Sequence, residues 1–297
     1  MTEDGIYKVS DFMSRITKTY MNGERKNYIY TGWNSFAELY KPEPGYMTVV
    51  TGIPGHGKSE IIDALLVNLS HLYGKKNLLF SPENYPLEKH FIKLAEKRIG
   101  KPFRQYRDIE AMEIDELKDA IEWAQEHFQW LYPPENECRI DCLLEKAQKV
   151  FDTCGLDNFV IDPWNEVDHQ RPSNLSETEY ISQSLSKVRR FARKNSVHCF
   201  IIAHPTKLPK NKETGQYDPP TPYDISGSAH WRNKADFTIT AHRHDMQANI
   251  ISLYVGKVKF KDFGKIGMCE LDYDFITGRF KERGQYSYNL PTLSAVQ

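Results

Sequence analysis

Long apolar runs are missing from this sequence. No stretch of its 297 residues approaches the roughly 18 consecutive apolar side chains of a membrane span, so the expectation is a chain with no part in a bilayer. The first residues, MTEDGIYKVSDF, lack the basic start and apolar segment of an export signal. Cysteine is scarce: five residues, Cys138, Cys142, Cys154, Cys199 and Cys269, an odd number without framework spacing. That argues against a disulfide scaffold and fits reduced thiols in a cytoplasm. Cys138 and Cys142 stand close enough in ECRIDC to share a metal, but no second Cys or His pair at finger spacing accompanies them. An excess of one charge is also lacking. Lys and Arg number 39 against 40 Asp and Glu, for a formal net charge of −1. This argues against a protein that coats nucleic acid with its whole surface, but not against one that gathers basic groups along a channel. Internal repeats and low-complexity segments are absent too.

What is present is an alternation of strand-like and helix-like segments, long enough for one large α/β domain with a small appendage. Val9, Phe12, Ile16 and Tyr20 fall three and four apart, which predicts one helix over Gly5 to Tyr20, stopped near Gly23. With little core of its own, that helix is expected to pack on the main domain or on a neighbouring subunit. MTVVT, NLLFS, NFVID and VHCFIIAH read as buried strands. Helical faces separate them, one carrying Ile61, Leu65, Leu69 and Leu72, another Leu87, Phe91, Leu94 and Ile99. Ser176 and Glu179 form a capping box before a further helix. Strands separated by helices predict a mostly parallel sheet covered on both faces. Beyond His204 lies a long polar loop, PTKLPKNKETGQYDPPTPYD, and then only strands. The expected division is a linker over 1–30, a single large domain over 31–285 and a tail over 286–297.

GIPGHGKS matches the phosphate-loop pattern Gly52-x-x-x-x-Gly57-Lys58-Ser59, delivered by a strand and followed by a helix. Backbone N–H groups of Gly52, Ile53, Pro54, Gly55, His56, Gly57 and Glu60 surround the place of a phosphate, except that Pro54 has none to give. Lys58 neutralises β/γ charge, and the Ser59 hydroxyl suits Mg²⁺. The implied ligands are ATP or another NTP, with Mg²⁺. No Asn-Lys-x-Asp base-recognition motif occurs, which argues against a GTPase. No lid-like arginine cluster accompanies the loop, which disfavours a small-molecule kinase. Asp162 closes the strand NFVID, where an open α/β sheet places its site; it is either a Mg²⁺ ligand or a turn residue before Pro163. Glu83, just past NLLFS, is either a base that activates water or a carboxylate complementing the next helix's dipole. His204 either senses a γ-phosphate or merely ends its strand.

The order of phosphate loop, strand-Ser-x-Glu, strand-Asp, strand-His with a basic loop, SGSAHWRNKAD and KVKFKDFGKIG resembles the hexameric replicative DNA helicases of the DnaB family. The likeness is greatest to the branch of Twinkle and the bacteriophage helicase–primases, and runs from about Thr31 to Phe280. It implies a RecA-like core in a ring of six subunits, with ATP sites between neighbours and 5′-to-3′ movement on single-stranded DNA. By the same resemblance Glu83 is the catalytic base, Asp162 the Walker B acid that joins Ser59 at Mg²⁺, and His204 the γ-phosphate sensor. Lys207, Lys210 and Lys212 belong to the loop that grips DNA, and Tyr273 packs on the nucleotide base. The family carries Lys-x-Arg near its C-terminus, the Arg reaching into the neighbour's site; here the place reads Lys259-Phe260-Lys261, so both lysines are expected to act in trans. Primase, zinc-binding and collar modules are lacking in this sequence. The expectation is a trimmed helicase domain, or a minimal helicase relying on a separate primase or loader, in a bacterial or phage-infected cell. A RecA-like recombination ATPase and a nucleotide-gated DNA-binding loader stay open as alternatives.

Overall fold

β-branched residues fill the strand that carries the phosphate loop. β1 (Met47–Thr51) is buried along its whole length, as a strand covered on both faces must be. It pairs in parallel with β5 (His198–Ile202) on one side and β6 (Phe237–His242) on the other, Val49 lying opposite Ile201 and Thr238. The computed structural model describes residues 6–21, 29–227, 229–285, 290 and 291. With β2 (Asn77–Phe80), β3 (Phe128–Trp130) and β4 (Asn158–Ile161), the parallel part of the sheet runs β3-β2-β4-β5-β1-β6. β7 (Ile250–Val258), β8 (Gly267–Tyr273) and β9 (Phe280–Glu282) continue it antiparallel. This is the mostly parallel α/β sheet with an antiparallel C-terminal extension that the sequence predicts.

Side chains alternate across the strands, so each strand feeds two cores. Val50 joins Ile61, Leu65 and Leu69 of α3 (Lys58–Tyr73). Met47 and Val49 join Leu143 and Ala147 of α6 (Ile140–Cys154) and Leu185 and Val188 of α7 (Glu177–Asn195). Burying each such Leu contributes about 1.5–3 kcal/mol. α7 begins at the predicted capping box: Ser176 Oγ accepts from the Glu179 N–H at 3.2 Å, and Glu179 Oε2 accepts from the Ser176 N–H at 2.9 Å. The α4 (Leu87–Ile99) and α5 (Ile114–His127) helices form where periodicity places them.

Three short elements escape a reading by periodicity. They are β3, α2 (Asn34–Leu39) and α8 (His230–Lys234), none longer than six residues. The leading helix also differs from expectation. Val9–Asp11 form a 3₁₀ turn, and only α1 (Met13–Met21) is α-helical. Its apolar stripe is uncovered among the described residues, with Val9, Ile16 and Tyr20 all exposed, and no residue of α1 is buried. Gly23 and the tail over 286–289 and 292–297 lie outside the described residues.

A buried histidine gives the core a predictable response to acid. His198 is 2% exposed. Its Nδ1–H donates to the Glu43 carbonyl at 2.7 Å, leaving Nε2 to accept from Thr48 Oγ1 at 2.8 Å. Burial holds its pKa down at about 4, and burial beside His56 and His244 holds His242 at about 4 as well. In the unfolded chain both protonate near 6.5, so their stabilisation is complete above that pH and is lost as pH falls through about 4. A displacement from 6.5 to about 4 is worth about 3 kcal/mol per histidine. Asp162, raised by burial to about 6, works with the opposite sign, but the two histidines together outweigh it. The thermal midpoint should therefore fall as pH is lowered from 6.5 to 4; a level midpoint across that range would contradict the assignment.

Candidate nucleotide-binding and hydrolysis site

Four neighbouring strands, β2, β4, β5 and β1, bring their C-terminal ends to one edge of the sheet. Glu83 follows β2, Asp162 follows β4, His204 follows β5, and the phosphate loop follows β1. The topology thus gathers residues more than 100 positions apart at a switch point of the sheet, the usual place for a ligand in such folds.

Glycine makes the loop possible at two points. Gly52 has φ +153°, and a Cβ there would meet the Ala241 carbonyl oxygen at 2.3 Å. Gly57 has φ +89°, in the left-handed region, immediately before α3. Lys58 is 5% exposed and its Nζ donates to the carbonyls of Gly52 at 2.9 Å and Ile53 at 3.2 Å. Burial lowers its pKa to about 8, so its charge is held at a cost that a phosphate would relieve. A cavity of about 500 Å³ opens before it, walled by Pro54, Gly55, Ser59, Glu83, Asn84 and His204 among others.

Asp162 lies close to Ser59, whose hydroxyl favours the ionised carboxylate and opposes the effect of burial. Burial raises the Asp162 pKa to about 6. A buried carboxylate paired with the hydroxyl that follows the loop lysine is a donor set that suits Mg²⁺, a hard cation that prefers oxygen ligands and keeps several waters. Across the cavity, His204 Nε2 stands 3.8 Å from Glu83 Oε1. Burial, with Lys58 adding to it, lowers the His204 pKa, which favours the neutral imidazole.

No family model matches the chain. Over 290 residues, 94% of its length, it is 40% identical to the Twinkle homolog protein, chloroplastic/mitochondrial, of Arabidopsis thaliana. By sequence, the chain is similar to a Twinkle homolog. It spans 40% of that relative's length. Two solved structures share its fold. One is an isolated ATPase domain, which superposes with a TM-score of 0.75 at 15% identity, over 93% of this chain and 99% of that one. The other is a DnaB-like replicative helicase, solved together with its interactions with primase, which superposes at 0.72 and 16% identity, over 95% and 68%. The chain therefore has the fold of these two structures. The Arabidopsis protein's described location, in chloroplast and mitochondrion, lends no support to a bacterial or phage-infected cell. Among the described residues, no helix is long and apolar enough to cross a membrane.

The remaining expected residues fall in three groups. His56 turns away from the cavity: it is 7% exposed, accepts the Arg243 N–H at 3.0 Å through Nδ1, and packs its ring 4.9 Å from His242. It ties the loop to the end of β6. Glu60 lines the cavity, but its carboxylate is occupied by Lys93 and Lys97, each at 2.6 Å. Tyr273 packs its ring at a 41° tilt against Phe280 with centroids 4.9 Å apart, and burial, with Glu60 nearby, pushes its phenol pKa up.

Lys259 is committed within its own chain. Its Nζ lies 2.8 Å from Asp236 Oδ1, a carboxylate 1% exposed, and rests over the ring of Tyr46 at 5.4 Å. Arg189 also reaches Asp236 Oδ1, at 3.5 Å, but Lys259 makes the shorter contact to this buried carboxylate and is poorly placed to serve a neighbour. Lys261 is exposed. Lys207, Lys210 and Lys212 are exposed too, on a loop whose ends are pinned where Pro205 bridges Ile225 and the Thr206 N–H donates to the Asp224 carbonyl at 2.7 Å. The loop has structure of its own: Asn211 Oδ1 accepts from the Glu213 N–H at 2.9 Å, and Lys210 sits over the Tyr217 ring.

Sequence reasoning missed a charged network beside the cavity. Lys93 reaches Glu60, Asp63 at 3.4 Å and the Asn84 side-chain oxygen at 3.1 Å. Asn84 donates to Ser81 Oγ at 2.8 Å, and Ser81 Oγ lies 3.5 Å from Asp162. His90 joins Asp63 at 3.1 Å and accepts from Trp130 Nε1 at 3.2 Å. The available signal was acidic residues at i and i+3 on α3 and basic ones at i, i+3 and i+7 on α4, which becomes informative only once those helices are known to pack.

Proposed function

We propose that this chain is the motor domain of a ring-forming replicative DNA helicase that hydrolyses ATP or another NTP between subunits and moves 5′-to-3′ on single-stranded DNA. The observation that carries this reading is the gathering of Lys58, Ser59, Glu83 and His204 around one cavity, with Asp162 buried beside Ser59, in a chain 40% identical to a Twinkle homolog. In this reading Lys58 and the loop amides hold the β/γ-phosphates. Ser59 and Asp162 hold Mg²⁺, which when bound neutralises phosphate charge. Glu83 orients and deprotonates water, and Tyr273 packs on the base. His204 passes phosphate occupancy to the loop that leaves directly from it. A ring of six such loops makes a basic channel from nearly neutral subunits. The exposed stripe of α1 supports docking on an adjacent subunit, and the partner class is a separate primase or loader.

The grip on DNA is the part most open to direct measurement. Lys207, Lys210 and Lys212 would contact phosphates without reading sequence, so affinity should weaken as salt rises. The double variant Lys210→Ala/Lys212→Ala should bind single strands more weakly and lower the salt slope by about 1.4, roughly 0.7 for each phosphate no longer neutralised on a single strand. Affinity measured against salt for both proteins gives the answer. An unchanged slope would remove these lysines from the channel.

A further inference from the structure

A second cavity, of about 360 Å³, shares His204 with the nucleotide cavity. It is formed where the segment after β4, the first turns of α7 and the segment leading to α8 meet. Its volume is in the range of pockets that hold a small organic group. Aromatic rings line it. Trp164 and His169 have centroids 5.2 Å apart and an interplanar angle of 35°, His169 meets Tyr180 at 5.6 Å, and Trp231 stands edge-on to Trp164 at 5.3 Å. The Trp231 N–H is already satisfied by the Ser226 carbonyl at 2.9 Å, so that ring serves as an apolar wall. Thr178 Oγ1 donates to the Gly227 carbonyl at 2.8 Å and fixes the rim. Gly227 is required there, because a Cβ would meet Ile181 Cδ1 at 2.3 Å.

We propose that this pocket receives one unstacked nucleobase of the single strand that the Lys207–Lys212 loop holds. This rests on the helicase reading and adds a contact to bases where that reading has contacts only to phosphates. Three features select a base. Trp164 and Trp231 are buried and form the floor, while His169, exposed, and Tyr180, half-buried, present ring surface on which any base can stack whatever its sequence. Arg171 and Glu177 are both exposed lining residues, so a phosphate is met by the guanidinium at the mouth while Glu177 offers an acceptor to a ring N–H such as that of thymine. The pocket is also continuous with the DNA loop, since the bridge between Pro205 and Ile225 that pins the loop's ends joins a residue next to His204 to a lining residue. A base seated here and a nucleotide in the neighbouring cavity would both touch His204. Each must then alter the other's affinity by the same factor.

The test uses the full chain with a non-hydrolysable NTP, an oligothymidylate, and an oligonucleotide of equal length made of abasic residues, with affinities measured at one salt concentration. The intact strand is expected to bind about tenfold tighter, as one stacked base allows. Ser226 is an exposed lining residue, so Ser226→Trp fills the mouth without disturbing the core. That variant should bring the intact strand to the abasic affinity and leave abasic binding and the salt slope unchanged. Equal affinity of the wild type for both strands overturns the pocket while leaving the helicase reading intact. So does a Ser226→Trp variant that weakens both strands alike. A wild type that binds neither strand overturns both readings.

Discussion

Replacing Glu83 with Gln is expected to lower NTP turnover by about 10²–10⁴, the usual contribution of a positioned general base, while nucleotide affinity stays within about twofold. The size of the effect follows from position. Glu83 sits in the 3₁₀ turn Pro82–Asn84, four residues before α4, and α4 has no side-chain cap at its N-terminus. The carboxylate is therefore not spent on the helix dipole. It faces His204 at 3.8 Å across a cavity whose other walls are the phosphate loop and Asn84. Gln keeps the shape and one acceptor oxygen but cannot take a proton from water. Binding and single-turnover hydrolysis, measured separately, distinguish loss of the base from loss of the fold. Turnover within threefold of wild type would return Glu83 to a structural role. The neighbouring Asn84–Lys93 contact at 3.1 Å bears on the same experiment, because it holds the turn from the side of α4.

Which features could be read from sequence depends on how locally they are determined. β1, the phosphate loop and α3 are continuous in the chain, and their side chains obey periodicity and loop chemistry alone. The strand-end residues Glu83, Asp162 and His204 were legible because parallel sheets put their ligands at carboxyl ends, although the reason they meet is the order β2-β4-β5-β1, which no single segment encodes. Lys259 shows the limit. Its spacing from Lys261 resembles a family pattern, but its partner Asp236 stands 23 residues earlier at the start of β6, and pairing across β6 and β7 decides its fate. His56 is similar: inside the loop by sequence, but turned to His242 by the neighbouring strand. Glu60, Asp63, His90, Lys93 and Lys97 look like ordinary solvated charges on two helices. Packing of α3 on α4 buries Asp63 and Lys97 to 4% and 2% exposure, and charge at that depth is tolerable only because each group finds an opposite partner.

Lys261→Ala should leave NTP binding intact and depress DNA-stimulated turnover severely, toward the lower end of the roughly 10³–10⁵ that a trans-acting arginine supplies. The lower end is expected because an ammonium carries the charge without the planar fork that contacts two oxygens at once. With Lys259 bound to Asp236, Lys261 is the residue of the pair with its side chain exposed, at the start of the 3₁₀ turn Lys261–Phe263 that follows β7. Sharing can be shown by mixing. A Lys58→Ala chain has no working phosphate loop, and a Lys261→Ala chain lends nothing to its neighbour. In a mixed assembly, however, some interfaces pair an intact Lys58 with an intact Lys261. Turnover of the mixture should therefore exceed that of either variant alone, and Lys261→Arg should match or exceed wild type. If the mixture does no better than its components, or Lys261→Ala turns over normally, each chain completes its own site and the charge at position 261 belongs to the surface.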